Sequence, residues 1–131
     1  MSDFTLTAAI PRPFPEAVDR VRDALADQGF GIITEIDLSA TLKAKLGVDV
    51  PEQLILGACR PELAHRALVA DPSIAAMLPC NVVVRAVDEE TSAVEAFDPS
   101  FMADLGGDAV RVVADDAGER IRAALASLGE G

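Results

Sequence analysis

Asn81-Val82-Val83-Val84-Arg85-Ala86-Val87 and Ser92-Ala93-Val94-Glu95-Ala96-Phe97 flank the acidic turn Asp88-Glu89-Glu90-Thr91. Both runs are rich in apolar, β-favouring residues, so an antiparallel hairpin is the simplest path between them. Two consecutive strands with no helix between them break the regular alternation of a doubly wound parallel fold. Upstream, Asp71-Pro72 begins a short helix that runs through Met77, by the cap-then-proline pattern. Pro61 opens a helix over Glu62–Ala70, with Ala64, Ala67, Leu68 and Val69 giving it an apolar side. The run Gln53–Cys59 is apolar on both parities, as expected of a central strand buried on both faces or of a short buried segment. Ser39 caps a short helix that carries Leu42 and Leu46 one turn apart, and Gly47 ends it.

Toward the start of the chain, Gly31–Asp37 reads as a strand, and Phe14, Val18, Val21 and Leu25 fall at helical spacing between Pro15 and Gln28. Gly29 then supplies a left-handed cap, and Phe4–Ile10 alternates at period two. Downstream of the hairpin, Asp98-Pro99 starts a short helix and Gly106-Gly107 breaks it. Val110, Val113, Ala117, Ile121, Leu125 and Leu128 then line one side of a C-terminal helix. The order β-α-β-(short α)-β-α-β-β-α predicts an α+β fold, with a mainly antiparallel sheet covered by helices on one face. At 131 residues, with no repeat or linker, the chain reads as one domain over residues 1–131.

Eleven basic against 22 acidic side chains give a net charge of −11. With two lysines in total, Lys43 and Lys45, the surface has the wrong sign for nucleic acid or an anionic membrane. No apolar run approaches the roughly 18 residues of a membrane span, and Met1-Ser2-Asp3-Phe4 does not resemble an export signal, so the expected location is cytoplasmic.

Both cysteines and the single histidine fall in Cys59-Arg60-Pro61-Glu62-Leu63-Ala64-His65 and Leu78-Pro79-Cys80-Asn81. Cys59 stands at a strand-to-helix junction, His65 about one turn inside the helix, and Cys80 at the entrance to the next strand. If the three meet at one end of the sheet, two thiolates and an imidazole form a ligand set for zinc or cuprous copper. Alternatively, Cys59 is a reactive thiol favoured by the helix N-terminus and Arg60, with His65 as base and Cys80 as resolving partner in redox or sulfur-transfer chemistry. The bland reading makes the cysteines buried small hydrophobes and the domain a scaffold without a site. Glu35 and Asp37 share one face of their strand and could orient two carboxylates, although a solvated edge is the commoner use. Lys43 and Lys45 suit the negative end of their helix. The phosphate-cradling loop, G-x-S-x-G, H-E-x-x-H and C-x-x-C patterns are absent from the sequence.

The segments Gly29–Asp37, Lys45-Leu46-Gly47-Val48, Leu56–Leu68 and Leu78-Pro79-Cys80-Asn81-Val82, taken in order, resemble the family called domain of unknown function 302. The resemblance implies a TATA-binding-protein-like α+β arrangement with a curved sheet, and a homodimer. It implies no activity. Its motif positions include Glu35, Asp37, Lys45, Cys59, His65 and Cys80. The combined expectation is a small homodimeric binding module with a metal or small-ligand site at Cys59, His65 and Cys80.

Overall fold

The computed structural model describes residues 4–129. Among them are five strands, β1 (Thr5–Ile10), β2 (Gly31–Asp37), β3 (Gln53–Cys59), β4 (Cys80–Ala86) and β5 (Ser92–Phe97). Four α-helices, α1 (Phe14–Asp27), α2 (Leu38–Leu46), α3 (Pro61–Ala70) and α4 (Gly107–Leu128), connect or follow them. The proline-initiated segments at Pro72–Met77 and Pro99–Met102 are 3-10 turns, each begun by an aspartate whose carboxylate accepts a backbone N–H. The sheet order is β1-β5-β4-β3-β2 with every pair antiparallel. The hairpin registers Val82 with Ala96 and Val84 with Val94.

Period-two alternation places Leu56, Ala58, Cys80, Val82, Val84, Val94 and Ala96 on one buried face. Val18, Val21 and Leu25 of α1, and Ile121, Leu125 and Leu128 of α4, close over it. A second apolar cluster lies beside the first: Leu63 and Ala67 of α3, Ile74 and Met102 of the 3-10 turns, and Val110, Val113 and Ala114 of α4. Helix α4 is long enough to serve both clusters, its first half on α3 and its second half on the sheet. No helix of the described residues is long and apolar enough to cross a membrane.

Two local expectations change. Asp37, not Ser39, caps α2: its carboxylate accepts the Ala40 N–H at 2.9 Å and the Ser39 hydroxyl at 2.8 Å. The Ser39 oxygen instead accepts the Gln53 N–H across to β3 at 3.3 Å. Nor is β3 buried between two helical layers. Its outward-facing Gly57 lies beneath its strand neighbours, because a register shift between Ile32 and Thr34 sets Thr34 opposite it. A Cβ at Gly57 would collide with the Thr34 hydroxyl and sit 2.7 Å from Pro79 Cγ.

Candidate functional site

Cys59 ends β3, Arg60 caps α3, and Cys80 begins β4 directly across the sheet from Ala58. This junction falls at the seam between the two apolar clusters, where packing leaves a cavity of about 30 Å³. Both cysteines, Arg60, Phe30, Leu63 and Met102 contribute to its wall. Cys80 is buried and Cys59 half-buried, and neither forms a disulfide.

His65 is not with them. Leu63 and Ala67, four apart, face the second cluster, and His65 stands about 200° around the helix from Leu63. It is exposed and lines a separate open groove with Val69 and Val112. The expected convergence of two sulfurs and one imidazole is therefore not found, and among the described residues no group of three or more His, Cys, Asp or Glu side chains is placed to hold a metal ion. Zinc sites use at least three protein ligands, so the dithiol corner alone does not fit that ion.

The thiols also differ from the expected reactive pair. Burial raises the Cys59 pKa above its ordinary value. Cys80 is pushed up to about 11, first by burial and then by the neighbouring Cys59 charge. Removing water disfavours the thiolate, which is the direction opposite to the pull expected from Arg60 and the helix start. Arg60 is engaged elsewhere. Its Nε donates to the exposed Glu62 carboxylate at 3.3 Å, and its guanidinium lies over Gly29, where a Cβ would come within 3.2 Å of Nε. Gly29 has φ +85°, so both its backbone angle and this contact favour glycine. Arg60 Nη1 is buried and has no hydrogen-bond partner in the protein. From its sequence position Arg60 is expected only to favour the Cys59 thiolate. Its burial depends on Gly29, which is distant in the chain.

The remaining candidates lie apart from the cavity. Glu35 pairs with Arg22 of α1. Asp37 is held below the ordinary carboxylate range by the Ala40 N–H and then the Ser39 hydroxyl, as a helix cap should be. Lys43 pairs with Asp49 at 2.9 Å, and Lys45 is exposed on the last turn of α2.

The geometry thus defines a class: a small antiparallel α+β domain with a compact thiol-lined cavity at the sheet's end. The chain matches the family described as domain of unknown function DUF302 over residues 6–128, and it belongs to that family. It is similar to the crystal structure of an uncharacterized conserved DUF302 protein from Bacillus stearothermophilus, with a TM-score of 0.86 and 25% identity over 97% of this chain and 99% of that one. No curated protein matches the chain.

Proposed function

We propose that the protein is a cytoplasmic binding module whose ligand seat is the Cys59/Cys80 cavity, and that it binds without turnover. The observation that carries this reading is the meeting of both cysteines and Arg60 at one small cavity, otherwise walled largely by apolar side chains. Raised thiol pKa values favour binding over nucleophilic chemistry, because the reactive species is the thiolate. Two free thiols suit a reducing compartment, and the charge of −11 makes anionic polymers poor partners.

The test is calorimetric titration with compact solutes: formate, acetate and thiocyanate, with formamide, acetamide and acetonitrile as neutral counterparts. Ala64→Leu fills the cavity from a half-buried lining position and is expected to weaken binding by about tenfold or more while the domain stays folded. No binding by any solute, or undiminished binding in Ala64→Leu, contradicts the reading.

We further propose that the module works as a homodimer joined along β2 and α2. Strand β2 is an edge strand, paired only with β3. Of the eleven exposed large hydrophobics among the described residues, five fall between Ile33 and Val50, and α2 buries none of its side chains. An unpaired edge beside uncovered apolar surface suits continuation of the sheet into a second copy. Sedimentation is expected to give a dimer for the wild type and a monomer for Ile36→Glu. A monomeric wild type contradicts this.

A further inference from the structure

We infer that the groove between α3 and α4 docks an acidic amphipathic helix of a partner protein, with a carboxylate of that helix on Arg66. This surface is separate from the Cys59/Cys80 cavity and does not depend on it. Leu63 and Ala67 turn one side of α3 into the cluster that holds Val110, Val113 and Ala114 of α4. The second apolar stripe of α3 stays outside that contact. There His65, Arg66, Val69 and Ala70 form, with Ala109 and Val112 of α4, an open groove of about 430 Å³. Val69 is 72% exposed and Val112 55%. Scattered singly such residues are ordinary, whereas two sharing one groove make a contact surface.

Charge selects the occupant. Acidic side chains outnumber basic ones by 22 to 11, yet no carboxylate lines this groove, and its polar wall is Arg66 and His65. Arg22, Arg60, Arg85, Arg111, Arg120 and Arg122 each pair with a carboxylate of the chain. Arg66 is exposed and enters no ion pair among the described residues, so its planar fork is available to a carboxylate from outside. On α4, Asp108 and Asp115 flank Val112 about one turn to either side, outside the groove wall. They repel carboxylates there, so the partner's acidic face turns toward α3 and its apolar face onto Val69 and Val112. A helix suits the shape. Two packed helices leave a valley between them, Ala70 and Ala109 add one methyl each to its walls, and amphipathic helices bury their apolar stripe in such grooves. A basic helix, although drawn by the net charge of −11, finds no carboxylate in this wall.

Three capped peptides of about 18 residues, long enough to hold helix, are the probes. One carries leucines on one face and glutamates on the other, the second scrambles that composition, and the third replaces glutamate by lysine. In amide NMR titrations the first is expected to shift Arg66, Val69, Ala109 and Val112 and to bind about tenfold or more tightly than the other two. Arg66→Glu should weaken it about tenfold or more and strengthen the lysine peptide, and Val69→Ser should weaken it without changing the thermal midpoint of the domain. Equal binding by the scrambled peptide would reduce the effect to ion attraction, and tighter binding by the lysine peptide would give the decision to net charge. Affinity unmoved by Arg66→Glu or Val69→Ser would place the contact elsewhere. Each of these overturns the proposal, as does silence from all three peptides. Sedimentation of the protein alone supplies the remaining arm: Val69→Ser is expected to leave its association state unchanged, and dissociation by that variant would assign the groove to a second copy instead.

Discussion

Ile121→Ala is expected to lower the free energy of unfolding by about 2–5 kcal/mol, the range for removing a large aliphatic side chain from a packed core. Ile121 has no exposed surface and belongs to the half of α4 that closes over the sheet. Typical domains are stable by only about 5–15 kcal/mol, so this single change takes a large share of the total. Val112→Ala in the same helix provides the control. Val112 is 55% exposed, and its truncation should cost within about 0.5 kcal/mol. Urea denaturation should show the two midpoints well apart at similar slopes. Equal losses would mean that α4 does not present the side assigned to it.

The second large effect lies at alkaline pH. The sequence contains no tyrosine and two lysines, so few side chains besides Cys59 and Cys80 titrate between pH 9 and 11. Cys80 holds its proton more tightly in the folded state, with a pKa of about 11 against an ordinary 9.0. A group whose folded pKa is raised contributes stability that is complete below the unfolded pKa and is lost as pH climbs through the folded one. Two units correspond to about 2–3 kcal/mol, expected to disappear between pH 9 and 11. Cys80→Ala should flatten most of that decline, leaving a smaller part from Cys59, whose shift has the same direction. An unchanged alkaline limb in Cys80→Ala would show that its thiol is hydrated in the native protein. Native alkylation gives the kinetic counterpart: at neutral pH Cys80 should hold about a hundredfold less thiolate than an ordinary thiol.

The fold was legible wherever a period repeats. Val18, Val21 and Leu25, and the run from Val110 to Leu128, turn their helical stripes inward as the spacing requires. The acidic turn joins the expected hairpin, and Gly29 and Gly47 take the left-handed angles their positions suggested. The site was legible only in part. Cys59 and Cys80 end and begin antiparallel strands that pair, so the sheet brings them to one of its ends. The side on which His65 falls is not legible in the sequence because α3 offers two apolar stripes. Sequence alone does not rank Leu63 and Ala67 against the stripe carrying Val69, which the fold leaves in solvent. The Asp37 cap was hidden because Asp37 also completes the alternation of β2, and an aspartate can end a strand and start a helix at once. The setting of Arg60 follows from a contact with Gly29 that local pattern does not encode.

The most direct measurement of the central claim is an amide NMR map after Cys59 is converted to its methylthio mixed disulfide, which adds one small group at the proposed seat. Shifts concentrated at Phe30, Arg60, Leu63, Cys80 and Met102, with His65 and Val112 silent, are the predicted result. Changes centred on His65 and Val112, with Cys80 and Met102 unmoved, would contradict it.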